Sequence, residues 1–195
     1  MIVAFSGHLP DAPDRDSPRF PAANEPEVAR AIANVLGNWK IGPGDQCLCG
    51  GARGGDLLFT EACLAIGAVV ELLLALPIEE FIKRSVAVPG TNWERRFHAA
   101  ARQSTVRQLD LNHHDEDACA HPFGEFNAWL IEEAIARAFP DRPRMLVLWD
   151  GRPSESGRPG TGDFAHRAIE AGAPVCVIDP LDPAAHEVFP CRPSD

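Results

Sequence analysis

A glycine-rich segment near the middle of the chain, Gly50-Gly51-Ala52-Arg53-Gly54-Gly55-Asp56, sets the architecture. The apolar run at 46–49 before it is typical of a short buried strand. The apolar side chains after it recur at helical spacing and predict a helix over 54–66. Four glycines between the two allow a tight turn, because glycine tolerates backbone angles that other residues avoid. The segment is therefore the turn of a strand–loop–helix unit.

The same alternation of strand and helix patterns continues on both sides of this unit. Apolar runs predict five further strands, at 2–5, 68–74, 105–109, 144–149 and 175–178. Helical patterns lie between them, at 25–36, 78–86, 91–102, 122–139 and 161–171. Such alternation forms parallel sheets through right-handed crossovers. We predict an α/β fold with a Rossmann-like, doubly wound, mostly parallel sheet of about six strands and helices on both faces.

No linker or shift in composition divides this pattern. We predict one domain over 1–180 and an irregular, proline-rich tail over 181–195. Residues 1–7 lack the pattern of a signal peptide, and no apolar run reaches about 18 residues. We therefore expect a cytoplasmic protein that does not enter a membrane. Six cysteines without a CxxC pair indicate reduced thiols rather than a disulfide framework.

Three loops at predicted carboxyl ends of strands are candidates for ligand binding: 6–8, 50–56 and 157–163. Helices that follow such loops offer unpaired N–H groups and a positive dipole end to an anion. Arg53 adds a cation, Thr161 a hydroxyl, and Asp56 either caps its helix or accepts from a ribose hydroxyl. The predicted phosphate- and ligand-binding residues are Ser6, Gly7, Gly50, Gly51, Arg53, Gly54, Gly55, Asp56, Gly160, Thr161 and Asp163.

The plainer interpretation is that these glycines only make tight strand-to-helix turns. The GxxxxGK[ST] pattern of P-loop nucleotide hydrolases is absent, and so is GxGxxG after the first strand. A P-loop enzyme and a standard NAD-binding domain are therefore disfavoured, and we predict no cofactor.

The order of the loops resembles the SLOG superfamily. The resemblance rests on Phe5-Ser6-Gly7-His8, the segment from Cys49 to Asp56, Leu148-Trp149-Asp150-Gly151 and Gly160-Thr161-x-Asp163. That group includes the LOG phosphoribohydrolases, DprA-like Rossmann domains, and ligand-sensing domains of TRPM channels and bacterial antiphage systems. It implies a Rossmann-like sheet over 2–180 and a nucleotide-derived ligand held by the glycine loops.

The sequence departs from the enzymatic branch of this group at one position. LOG enzymes carry PGGxGTxxE, whose glutamate is catalytic, and Phe164 stands at the corresponding offset here. Asp163 lies one residue earlier, about 100° around a helix. The resemblance is thus closer to bacterial sensor domains. Two alternatives stay open: a nucleoside-monophosphate phosphoribohydrolase with Asp163 or Asp150 as its carboxylate, and a non-catalytic interaction module.

Five further residues are weaker candidates for the ligand site. His8 follows the first strand, and Arg19 lies on the loop after it, within reach of a phosphate. Trp93 and Arg96 suit stacking of a base and contact with a phosphate, or else a core aromatic and a solvated cation. Asn127 either reads a base edge or lies on a helix surface. The group around His113 matches no metal-binding pattern, and we predict no metal.

The formal net charge of −10 limits the class of partner. Such a field repels the phosphates of DNA, RNA and anionic membranes at long range. It does not exclude a local basic pocket for one small nucleotide-derived ligand, which is the partner we predict. A homodimer and a separately encoded effector protein are left open as further partners.

Overall fold

The computed structural model describes residues 1–109, 122–154 and 159–189, without the side chains of 186–189. Its strands are β1 (Ile2–Gly7), β2 (Gln46–Cys49), β3 (Val69–Leu74), β4 (Thr105–Gln108), β5 (Arg144–Leu148), β6 (Val175–Asp179) and β7 (Asp182–Phe189). Its helices are α1 (Glu25–Asn38), α2 (Gly55–Ala65), α3 (Ile78–Phe81), α4 (Trp93–Ala101), α5 (Pro122–Ala138) and α6 (Thr161–Glu170). The predicted α/β fold class is confirmed.

The strands form one sheet in the order β4-β3-β2-β1-β5-β6-β7. The first six strands pair in parallel, and β7 pairs antiparallel with β6. The chain moves outward from β1 to β4 and then returns to place β5 on the other side of β1. The strand order therefore reverses between β1 and β5. Sheets of this kind bind ligands outside the carboxyl ends of the strands at such a point.

Burial explains why these segments form the elements. Strands β1, β2 and β5 are almost wholly buried, as expected for central strands covered on both faces. Helix α1 turns Val28, Ile32, Val35 and Leu36 inward at helical spacing. Helices α1 and α4 both pack against α2, and α5 packs with α6. Together these side chains form one continuous hydrophobic core.

The structure differs from the sequence prediction after Pro180. The prediction of an irregular tail is wrong for Asp182–Phe189, which forms β7 and brings the sheet to seven strands. Pro183 lies within this strand. Proline lacks an N–H donor and is tolerated where one side of a strand is unpaired, as at the edge of a sheet. The sheet thus extends beyond the predicted domain end at residue 180.

The segment 78–86, predicted as one helix, changes its geometry midway. Helix α3 gives way to a wide turn of π-helix over Ile82–Val86. Single π turns often occur at functional sites. The group around His113 lies outside the described residues. Among the described cysteines, Cys47, Cys49, Cys63 and Cys176 are buried free thiols. No described helix has the length and apolar character needed to span a bilayer.

Candidate functional site

A cavity of about 380 Å³ opens at the carboxyl ends of the central strands, where the strand order reverses. Its size falls within the range of small-molecule sites. The lining residues come from the ends of β1, β2 and β5 and from the start of α6. Of the residues predicted from sequence, the structure brings nine to this cavity: Ser6, Gly7, His8, Arg19, Gly50, Asp56, Asn127, Gly160 and Thr161.

Charge is distributed unevenly around this cavity. Three arginines line it, Arg19, Arg84 and Arg152, against one carboxylate, Asp56, among the described residues. The whole chain has the opposite balance, with a net charge of −10. Arg19 and Arg152 share Asp150 as their counter-ion, and Arg84 is paired with Glu80. The arginines of the cavity are therefore balanced by carboxylates outside its lining.

Asp150 organises the loops at the β1–β5 junction. Its side chain is fully buried and accepts from Arg19 Nε at 2.9 Å and Nη2 at 2.7 Å. Arg152 Nε donates to it at 2.5 Å, and Nε2 of His8 lies 3.0 Å from Oδ1. These partners hold the pKa of Asp150 well below its usual range, against the opposing effect of burial. Burial lowers the pKa of His8, so the neutral ring is favoured.

The glycine loop after β2 makes most of its close contacts with the chain that follows β1. The N–H of Gly55, at the start of α2, donates to the carbonyl of His8 at 3.1 Å. A Cβ on Gly55 would lie 2.9 Å from Cα of Gly7, and one on Gly54 would lie 2.5 Å from Cδ of Pro10. Both glycines therefore permit close contact between this loop and the chain after β1.

The side chain of Asp56 links the same loop to the end of β1 through hydrogen bonds. Its buried carboxylate accepts the N–H of Gly7 at 3.1 Å and the N–H of Ala52 at 3.2 Å. Burial raises the pKa of Asp56 to about 7, while these backbone donors oppose that shift. A Cβ on Gly50 would come within 2.8 Å of Oδ2 of Asp56. The absence of a side chain at Gly50 therefore leaves space for the Asp56 carboxylate.

The start of α6 faces the cavity more openly. Gly160, Thr161 and Gly162 all line the cavity. Thr161 is more than nine-tenths buried, and the described residues offer its hydroxyl no hydrogen-bond partner. Asn127 of α5 fixes this turn by donating to the carbonyl of Gly160 at 3.1 Å and to Oδ2 of Asp163 at 2.9 Å. Asn127 thus supports the loop through its side-chain amide.

The opposite wall comes from residues that sequence reasoning missed. Phe81 and Ser85 reach the cavity from the end of α3 and the wide turn after it, and Phe126 reaches it from α5. Phe81, Ser85 and Phe126 are each more than nine-tenths buried. Arg84 lies beside Ser85 and is ion-paired with Glu80 at 2.5 Å. The change in helical geometry at 82–86 brings these residues to the cavity. No signal in the sequence marks that change, so this wall could not be predicted.

Several predicted residues lie outside the cavity lining: Gly51, Arg53, Gly54, Gly55, Trp93, Arg96, Asp150 and Asp163. Arg96 joins α4 to α1 and α2 through Glu25 at 2.6 Å and Glu61 at 2.6 Å, and it covers the ring of the buried Trp93. The backbone N–H of Arg53 donates to the carbonyl of Ser85, and partial burial lowers the pKa of its guanidinium. These residues connect elements around the cavity.

The two carboxylates considered for catalysis are both engaged elsewhere. Asp150 is enclosed by His8 and two arginines, as described above. Asp163 accepts from Asn127 and also from Arg167 at 3.0 Å, one turn along α6. Phe164, at the offset of the LOG glutamate, is fully buried in the core.

Comparison with known proteins supports the fold. No family model matches the sequence, and no curated protein matches it either. Among solved structures, DNA processing protein A (DprA) from Streptococcus pneumoniae superposes with a TM-score of 0.53 at 15% identity. That match covers 90% of this chain and 49% of the DprA chain, so this chain spans about half its length. The structural genomics target TM1055 matches at a TM-score of 0.46 and 15% identity, covering 89% and 71% of the two chains.

The fold and the position of its cavity define a Rossmann-like α/β protein with a cavity at the point where the strand order reverses. More particularly, the chain shares the Rossmann-like fold of the part of DprA that it matches, which is the fold that the resemblance seen in its sequence implied.

Proposed function

We propose that this protein binds a small phosphorylated nucleoside or an ADP-ribose-like ligand in the cavity at the β1–β5 junction, and that it acts as a sensor of that ligand. The observation that carries the proposal is the start of α6, whose first residues line the cavity where the strand order reverses. Three arginines also line the cavity, each paired with Asp150 or Glu80. A concave site with a helix N-terminus and nearby guanidinium groups suits a small anion.

The α6 N-terminus is the favoured phosphate position in this proposal. Its first residues line the cavity, and the hydroxyl of Thr161, a residue that is 9% exposed, has no hydrogen-bond partner among the described residues. Unpaired N–H groups and the helix dipole favour negative charge at such a place. The start of α2 is less suitable, because the carbonyl of His8 already occupies the N–H of Gly55.

Binding is favoured over hydrolysis because the candidate catalytic carboxylates already have hydrogen-bond and ion-pair partners within the protein. Cleavage of an N-glycosidic bond requires a carboxylate placed against the developing positive charge of the sugar. Asp150 and Asp163 are both held by cationic or amide partners, and Phe164 places no carboxylate at the LOG offset. A ligand-binding role agrees better with this geometry.

The name of DNA processing protein A associates that protein with DNA, and this association does not carry over well to this chain. Affinity for a polymeric nucleic acid comes chiefly from many contacts between cationic side chains and phosphates. A net charge of −10 opposes such binding over the whole surface. The proposed ligand is therefore a single small molecule.

A thermal-shift series tests the proposal. The protein is heated alone and with AMP, ADP-ribose, cyclic ADP-ribose isomers and NAD, with adenosine as the unphosphorylated comparison. A ligand at 100 times its Kd stabilises the protein by about 2.7 kcal/mol, or roughly 5–10 °C for a chain of this size. We expect at least one phosphorylated compound to give such a shift, and adenosine to give less.

The variant Thr161→Val tests the assignment of the phosphate to α6. Valine keeps the shape of threonine but removes the hydroxyl, so the shift with the phosphorylated ligand should fall by about 1 kcal/mol. Thr105→Val is the matched control, since Thr105 is exposed on the edge strand β4. Equal shifts in both variants would remove Thr161 from the site, and no shift with any ligand would contradict the proposed function.

A further inference from the structure

Two largely buried residues that carry hydroxyls line the cavity at different places. Thr161 belongs to α6 after β5, and Ser85 belongs to the wide turn after β3. Their residues are 9% and 6% exposed, and neither hydroxyl has a hydrogen-bond partner among the described residues. Neither hydroxyl oxygen is among the fully buried atoms without a partner, so both retain access to the cavity. Both hydroxyls are therefore suited to contact a bound molecule.

The strand order sets the length of the molecule that would reach both hydroxyls. The carbonyl of Ser85 accepts the N–H of Arg53, so Ser85 lies beside the loop after β2. In the sheet, β2 and β5 are separated by β1 alone, and two spacings of about 4.8 Å place the two loops about 10 Å apart. A ligand that fills this cavity from end to end is elongated.

The surroundings of the two hydroxyls differ in chemistry. Thr161 lies at a helix N-terminus, with Arg152 also lining the cavity. Ser85 shares the cavity with the aromatic rings of Phe81 and Phe126 and with Ala75, all buried. Arg84 beside it is largely exposed and already paired with Glu80. The first end suits a phosphate, and the second suits a flat ring with a polar edge.

We propose that the ligand lies across the strand ends in one orientation, with its heteroaromatic base against Phe81 and Phe126 and the base edge hydrogen-bonded to Ser85. Its phosphate then lies at the start of α6. This inference rests on the proposed function, and it makes Ser85 the residue that recognises the base. The backbone supports that role. The N–H of Arg53 donates to the carbonyl of Ser85 at 3.0 Å, and this hydrogen bond fixes the turn that carries Ser85.

Two-dimensional NMR titrations test the orientation by separating the ligand into its parts. Adenosine should shift amide signals in 81–86, whereas ribose 5-phosphate should shift those in 161–163. The reverse pattern would overturn the orientation. If AMP, ADP-ribose, adenosine and ribose 5-phosphate all leave the spectrum unchanged, the proposed function fails as well, so the two failures are distinguishable.

The variant Ser85→Ala tests the contact with the base. It should lower the affinity for AMP about five- to tenfold and change the affinity for ribose 5-phosphate less than twofold. Thr161→Val should lower the affinity for both AMP and ribose 5-phosphate. Ser104→Ala is the matched control, because Ser104 also has a hydroxyl without a partner among the described residues and does not line the cavity. Equal loss of both ligands in Ser85→Ala, or unchanged binding of AMP, would overturn the assignment.

Discussion

The Asp150→Asn variant is expected to unfold about 10 °C below the wild-type protein, a loss of roughly 3–5 kcal/mol. The Asp150 carboxylate is fully buried and accepts hydrogen bonds from both Arg19 and Arg152. Asparagine has a similar shape but no charge, and its NH2 group would face the N–H donors of the arginines. Two cations at the cavity would then lack their shared counter-ion.

The pH dependence of stability should report on the same network. The pKa of Asp150 is depressed in the folded state, so its contribution is present above the ordinary pKa of about 4 and is lost at lower pH. The pKa of His8 is also depressed, which makes protonation of His8 costly below about pH 6.5. Both effects act in the same direction. The wild-type protein should lose stability as the pH falls, and Asp150→Asn should lose less in the range below pH 4.

Thermal unfolding followed by circular dichroism measures these differences, with Asp141→Asn as the control. Asp141 is an exposed carboxylate after α5, and its replacement should change stability by less than about 0.5 kcal/mol. If Asp150→Asn unfolds at the same temperature as Asp141→Asn, the buried network does not stabilise the loops as argued.

The second large effect is expected at Gly54, where alanine should cost about 3–5 kcal/mol. Gly54 has φ +83°, and a Cβ there would lie 2.5 Å from Cδ of Pro10 and 2.8 Å from the carbonyl oxygen of His8. Backbone strain and overpacking each contribute about 1–3 kcal/mol in such positions. The cost arises from contact between two loops, before any ligand is considered.

Gly37→Ala provides the opposite outcome from the same chemical change. Gly37 lies in α1, and a Cβ there meets no atom within 4 Å. Alanine should stabilise the protein by about 0.5–1 kcal/mol, because glycine loses more conformational freedom in a helix. Chemical denaturation of both variants measures the contrast. A Gly54→Ala protein as stable as the wild type would show that the two loops separate easily.

The sequence predicted the sheet well because its strands alternate with long amphipathic helices. The six predicted strands match β1 to β6 in order, since apolar runs such as 144–149 mark strands buried on both faces. β7 escaped prediction because Asp182–Phe189 contains a proline and few strongly strand-forming residues. Its pairing with β6 is a tertiary contact that local patterns do not encode.

The site was harder to predict, because glycine has several uses that look identical in a sequence. Gly54 and Gly55 serve contacts within the protein, whereas Gly160 lines the cavity. Arg96 and Trp93 suggested a ligand cluster, but the ion-pair partners of Arg96 are Glu25 and Glu61, distant in sequence. Such partners become evident only once the helices are packed.

Calorimetric titration of the wild-type protein with AMP and with adenosine tests the central claim most directly. A cavity with a phosphate position at the start of α6 predicts one bound AMP for each chain. A charge-assisted hydrogen bond contributes about 1.5–3 kcal/mol, so AMP should bind at least tenfold more tightly than adenosine. Equal affinity for the two, or heat of binding from neither, would contradict the account.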